Sequence, residues 1–297
     1  MKFSNPRTAA RIEYIAAMCI FGTIGIVVSS LPVSSGVCAF SRAFFGFIFI
    51  VAVSFFKKSA FDFAAVKSNI LSLVLTGVVL GANWILLFAS YEFINVPAAT
   101  VCYYMNPVFL ILLSPIFLGE KLSVRKLVCV ATAFCGMILV SGITNGVGAV
   151  SFIGIAFAIA AALCDTVLML LSKCLTGVSG ITRVTVQLAT ASVMLFVYVA
   201  ATESFSAFAV EPRYIAPLVG VGVLHTGIAY IIFYEAICVL DAQSFAIFSY
   251  ADPIVALAAS ALFLHEVLEP VAAVGALLIL GVTFADGIAD GIAAKRK

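Results

Sequence analysis

Ten stretches of this chain are apolar over about twenty residues each, and almost no sequence is left between them. They run over 12–31, 36–56, 69–90, 95–118, 124–142, 149–172, 181–201, 214–238, 241–264 and 270–289. A helix of roughly 20 residues covers a hydrocarbon core about 30 Å thick. In lipid the backbone has to satisfy its own polar groups, so segments of this length must be helices. Composition agrees, with 64% of residues hydrophobic and 10% charged, against roughly 45–50% and 25% in soluble chains. The sequence therefore predicts an all-α integral membrane protein with ten transmembrane helices and no separate soluble domain. Lys2, Arg7 and Arg11 precede the first stretch as they would in a signal peptide. That stretch is too long for a signal's apolar core and no cleavage site follows it, so it reads as a retained span.

The chain also repeats itself. Tyr103-Tyr104-Met105-Asn106-Pro107, an apolar run and Glu120 return 146 residues later: Tyr104 matches Tyr250, Pro107 matches Pro253, Ser114 matches Ser260, Glu120 matches Glu266 and Leu122 matches Leu268. Each copy holds five spans, and copies of an odd-numbered unit insert in opposite directions. Two inverted five-helix repeats follow, 1–145 and 146–297, meeting in the glycine-rich loop from Gly142 to Ala149. Asn106 falls on Asp252, so each copy sets a polar residue before a proline in mid-span. Proline removes a donor and clashes with the preceding turn, which predicts a broken or kinked helix there. Such a duplicated break points to a transporter's binding site. Glu120 and Glu266 end their spans and are expected to cap or pair locally.

Charge placement predicts orientation. If the N-terminus is cytoplasmic, fourteen of the sixteen Lys and Arg residues fall on the cytoplasmic side, leaving Arg213 outside and Arg42 within a span. By the positive-inside rule both termini face the cytoplasm, across the inner or plasma membrane.

Ionisable groups inside a membrane are costly enough to be functional candidates. Asp252 is either a carboxylate that exchanges a proton or binds a cation at the midplane, or a cap for backbone groups freed by the break. His225, halfway along its span, suits proton coupling or a hydrogen bond to a neighbouring carbonyl. Arg42 is expected to pair with an acidic group or a substrate carboxylate, and Asp165 to sit beneath a cavity. Glu235 lies near a helix end, within reach of water. Trp84, Tyr103, Tyr104, Tyr230 and Tyr250 add aromatic faces of the kind that hold small organic ligands. The eight cysteines have no metal-ligand spacing and read as small hydrophobes in helix contacts.

Asn83-Trp84-Ile85-Leu86-Leu87-Phe88, Cys102 to Pro107, Leu118-Gly119-Glu120-Lys121-Leu122, His225 to Tyr230 and Asp252-Pro253-Ile254-Val255-Ala256 resemble EamA-type permeases of the drug/metabolite transporter superfamily. The likeness runs through both halves. It implies a ten-helix, inverted-repeat exporter. The third, fourth, eighth and ninth spans would line its central cavity, and the fifth and tenth would pack at the periphery. Asn83, Trp84, Tyr103, Tyr104, Asn106, Tyr230 and Tyr250 then become substrate-site candidates. Asn106 departs from the alanine often found before this proline.

The expected function is secondary active export of small metabolites, amino acids or related amines, with broad efflux of cationic or lipophilic compounds as the alternative. The sequence has no GxxxxGK[ST] loop for nucleotide. His265-Glu266-Val267-Leu268-Glu269 lacks the second histidine of a metalloprotease helix, which argues against an intramembrane enzyme. A lipid flippase would need a basic phosphate site, for which only Arg42 qualifies. The expected partners are a small-molecule substrate and the lipid bilayer, with no nucleic acid, metal or cofactor, for a monomer or homodimer.

Overall fold

The computed structural model describes residues 6–56, 61–94, 96–140, 151–175, 177–203, 205–263 and 270–295. Among them all regular structure is helical. In chain order the helices are α1 (Pro6–Gly22), α2 (Ile24–Ser29), α3 (Ser35–Phe56), α4 (Phe63–Ser90), α5 (Val96–Tyr103), α6 (Asn106–Leu118) and α7 (Val124–Val140). They continue with α8 (Phe152–Cys174), α9 (Gly180–Thr202), α10 (Pro212–Gly220), a π-helical segment (Val221–Ile228), α11 (Ala229–Val239), α12 (Ala242–Phe248), α13 (Ala251–Phe263) and α14 (Pro270–Lys295).

Eight of these helical units are long and apolar enough to cross a membrane. The sequence marks ten stretches, and the two that fall short are the fifth and the tenth. Helix α7 has 17 residues, and the rest of its predicted stretch lies outside the described residues. For α14 an apolar run is described over Pro270–Asp286, within the helix Pro270–Lys295. Glu266 and the Gly142–Ala149 loop also lie outside the described residues.

Both proline breaks form where the sequence puts them. Helix α5 ends at Tyr103 and α6 restarts at Asn106 with Pro107 in its first turn; α12 ends at Phe248 and α13 restarts at Ala251 with Pro253 in its first turn. Proline suits a first turn, where its missing donor would have no partner anyway. Side chains fix several helix starts. Asp62 accepts from the amides of Ala64 and Ala65 (2.9 and 3.0 Å), Ser179 from Thr182 (3.2 Å) and Asp241 from Ser244 (3.0 Å). Gly119, at φ 65°, ends α6 in the left-handed conformation that glycine tolerates.

Helices that match at the 146-residue offset pack together. Helices α3 and α9 lie antiparallel, with Gly36 facing Glu203 and Phe40 5.8 Å from Phe196. So do α7 and α14, with Arg125 3.1 Å from Asp286 at one end and Gly136 against Gly275 further along. Helix α4 packs on α8 as α1 packs on α11, and α6 packs on α8 as α13 packs on α1.

The α7–α14 contact leaves no room for side chains. A Cβ on Gly275 would lie 2.5 Å from the Gly136 carbonyl oxygen, and one on Gly136 would lie 2.7 Å from that of Gly275. Backbone cannot yield as a side chain does, so Gly275→Val is expected to push the helices apart and cost about 1–3 kcal/mol or more. Thermal unfolding in detergent checks this against Gly281→Ala in the same helix, where nothing lies within 4 Å and no loss is expected.

Candidate functional site

The two breaks meet. The Tyr104 phenol, in the first break, donates to Asp252 Oδ2 at 2.7 Å. The Tyr250 phenol, in the second, donates to the Tyr104 carbonyl oxygen at 3.0 Å. Their rings stack 6.0 Å apart at 27°, and Tyr103 meets Tyr104 edge-on at 6.0 Å. A helix break leaves carbonyls without intrahelical partners, and the Tyr250 hydroxyl satisfies one of them. Asp252 stands in the first turn of α13, where the helix dipole favours negative charge. Of the two readings of Asp252, capping its own break is not the bond that forms. Its carboxylate is held by the opposite repeat's tyrosine.

Asn106 takes the matching place in α6. Its Nδ2 donates to Asp165 Oδ2 on α8, its Oδ1 is buried without a partner, and its carbonyl accepts from Thr166 Oγ1 at 3.3 Å. At the 146-residue offset Asp165 corresponds to Cys19 on α1. Helix α1 passes α13 so closely that a Cβ on Gly22 would lie 2.6 Å from the Asp252 carbonyl oxygen. Each break therefore has one carboxylate, on the neighbouring helix in one half and on the broken helix in the other.

Arg42 has no acidic partner from the chain among the described residues. No carboxylate there lies within ion-pair distance; its guanidinium sits 4.4 Å over the Trp84 ring and its Nε donates to Thr226 Oγ1 at 3.4 Å. The indole face takes the place of a protein carboxylate, because its π-electrons attract a cation. Trp84 is 5% exposed, packed in the bundle.

His225 sits in the π-helical segment, where Thr226 Oγ1 reaches the Val221 carbonyl at 3.5 Å. Single π turns often mark functional positions in helices. His225 Nε2 lies 3.0 Å from Thr23 Oγ1, which donates its own proton to the Ile20 carbonyl at 2.8 Å. With that proton on Ile20, the pair forms when the imidazole donates through Nε2; Nδ1 is buried without a partner. The hydroxyl of Thr23 takes the place of the predicted carbonyl. Asn83 is fully buried and donates to the Ala161 carbonyl at 2.7 Å, pinning α4 to α8. Tyr230 packs edge-on to Phe21 (5.5 Å) and Tyr234 (5.8 Å). At the end of α1, Gly22 against Asp252 and Thr23 against His225 bring Asp252 and His225 to neighbouring positions of one span. Glu235 is exposed, as expected.

Two surface cavities lie elsewhere. One of 240 Å³ is lined by phenylalanines such as Phe40, Phe44 and Phe208, and one of 350 Å³ lies beside Tyr214; neither touches the eleven predicted site residues. Among the described residues all eight cysteines are free. Cys19, Cys135, Cys174 and Cys238 are exposed, so only part of the set fills helix contacts. No group of three His, Cys, Asp or Glu among the described residues is placed to hold a metal.

A polar cluster with no mark in the sequence lies at the end where α7, α9 and α12 begin. Lys126, 8% exposed, pairs with Asp241 and donates to Ser244 Oγ at 2.6 Å. Gln243 Nε2 donates to the Lys121 carbonyl (2.9 Å), and its Oε1 accepts from the Ser123 amide (3.3 Å). Glu120 departs from its expected local role. Its Oε1 accepts from the Ala242 amide, 122 residues away, at 2.9 Å, and it lies 3.8 Å from Lys173. Lys173 also donates to the Leu240 carbonyl. Burial pushes the Asp241 carboxyl up, but the Lys126 charge and the Ser244 hydrogen bonds outweigh it and hold the group below the usual carboxylate range. No spacing signal could have paired Lys126 with a residue 115 positions away.

The EamA-like transporter family model matches residues 12–142 and again 152–285. An uncharacterized transporter of Bacillus subtilis, YxxF, is 29% identical over 269 residues, covering 88% of this chain and 83% of that protein. The RarD protein of Salmonella typhi is 30% identical over 118 residues, 40% of each chain. A solved crystal structure superposes on 93% of this chain and 96% of its own with a TM-score of 0.82 at 17% identity, a likeness of fold alone. Together with eight helices able to cross a membrane, these matches make the protein a multi-pass membrane transporter of the drug/metabolite superfamily, and the chain belongs to the EamA-like transporter family.

Proposed function

We propose that this protein is a secondary active exporter of small organic metabolites, amino acids or related amines, working by alternating access with proton coupling. Ten spans form two inverted five-helix repeats, 1–145 and 146–297, with both termini in the cytoplasm. The antiparallel packing of matching helices, α3 with α9 and α7 with α14, supports the inversion, as does the double family match. The observation that carries the functional reading is the Tyr104–Asp252 hydrogen bond, which joins a phenol in one break to a carboxylate in the other. Protonating Asp252 changes that bond, so proton occupancy and the relation of the two halves are linked, as a coupled cycle needs. The stacked tyrosines and the nearby carboxylates suit an amine-bearing solute.

Flux in proteoliposomes tests the reading. With an imposed pH gradient, labelled amino acids or amines are expected to accumulate. Preferential movement of lipophilic cations would favour broad efflux, and movement of labelled lipid between leaflets would favour a flippase.

A further inference from the structure

The polar cluster at Lys126 and Asp241 has four features that combine into a mechanism. It joins the two halves of the chain: Glu120, Lys121, Ser123 and Lys126 come from the first, and Leu240 to Ser244 from the second. It is dense, with an ion pair, a shared hydroxyl, a side-chain amide bonded both ways and a carboxylate on the first amide of α12.

The ion pair has no counterpart in the repeat. At the 146-residue offset Lys126 corresponds to Ala272, Asp241 to Asn95, Ser244 to Ala98 and Lys173 to Val27. Both cations and the acid between them give way to uncharged residues. A motif serving only to fold each half would be expected in both copies, and this one is not.

The bundle is packed tightly next to the cluster. Every residue of α12 is buried, and Ala10, Tyr14 and Ala17 of α1 are at most 2% exposed. Beyond the tyrosine break Ala251, Asp252 and Ile254 to Leu257 are all partly exposed. Packing is tighter on the charged side of the break than beyond it.

The cluster also lies at span ends, in the first turns of α7 and α12, the last turn of α8 and the adjoining α6–α7 and α11–α12 connections. Charges separated there regain water, whereas charges separated at the midplane do not. A contact at this level can open and reclose.

We propose that Lys126 and Asp241 are positioning residues that latch the charged end of the bundle shut, and that releasing them opens a path to the Tyr104–Asp252 site from that end. This rests on the alternating-access reading above. The latch is insensitive to mild acid. Asp241 faces Lys126 of α7, Lys173 of α8, Glu120 at the end of α6 and Ser244 of its own helix. Its depressed pKa means that the contact is present above the usual carboxylate range and lost only as pH falls below it.

Double electron–electron resonance in liposomes tests the proposal. One spin label sits on native Cys238 and the other on a Lys121→Cys substitution, with the other seven cysteines replaced. The parent protein is expected to give one short distance, unchanged between pH 8 and 5. Asp241→Asn keeps the cap on α12 but removes the charge, and Lys126→Met removes the other partner. Each is expected to raise a longer-distance population by about tenfold, while Asp241→Glu keeps the short one. A short distance unchanged in both Asp241→Asn and Lys126→Met, each monodisperse on size exclusion, would overturn the latch, as would a parent population that lengthens by pH 5. The measurement needs no substrate. Failure of flux in the parent protein would count against the transport reading and leave the latch decided on its own.

Discussion

Asp252→Asn is expected to abolish proton-driven accumulation while leaving substrate binding and exchange in place. The amide has nearly the carboxylate's volume and still accepts from Tyr104, so the hydrogen bond that joins the breaks survives in neutral form. The first repeat already carries an amide at this position, Asn106, buried in a sound helix start. A tenfold proton ratio stores about 1.4 kcal/mol, so one coupled proton supports at most an accumulation of about tenfold per pH unit. In Asp252→Asn that ratio is expected to fall to one. Counterflow of labelled against unlabelled substrate, which needs no gradient, is expected to persist. Full accumulation by the variant would move the coupling to Asp165, which holds the matching carboxylate position, or to His225.

Trp84→Ala is expected to be the most damaging single change to stability. Truncating a buried Trp typically costs about 3–5 kcal/mol, and this indole also faces the partly buried Arg42 guanidinium at 4.4 Å, a contact worth about 0.5–2 kcal/mol. The variant leaves a partly buried cation facing a void. Folded yield and thermal stability in detergent should both drop. Trp84→Phe, which keeps an aromatic face, should fall between, and Arg42→Met combined with Trp84→Ala should lose less than the sum of the single changes. Equal stability of Trp84→Ala and the parent protein would show that Arg42 is held elsewhere.

Local chemistry was legible in the sequence wherever one segment decided it. The apolar stretches gave the helices, because lipid allows little else. Pro107 and Pro253 gave the breaks, because a prolyl ring acts on its own turn.

Contacts between distant segments were not legible. Tyr104 reaches Asp252 across 148 residues, and only the fold brings them together. Charge alone assigns Arg42 an acidic group or a substrate carboxylate; within the chain it faces an indole, a contact that depends on which face of α4 turns inward. The π-helical segment at His225 arises where Gly222 and Gly227 meet Phe45 and Phe49 of α3, a packing event with no local sequence mark. Glu120 follows the glycine that ends α6, yet its carboxylate serves the other half of the chain.

The central claim is that a proton moving on and off Asp252 drives substrate across the membrane. It is tested most directly with a pH-sensitive dye sealed inside proteoliposomes, with labelled amino acid or amine supplied on one side only. The parent protein is expected to move protons in step with the substrate and to move none without it, and Asp252→Asn to pass substrate down its gradient with no change in internal pH. Substrate movement by the parent protein with no accompanying proton movement would contradict the account.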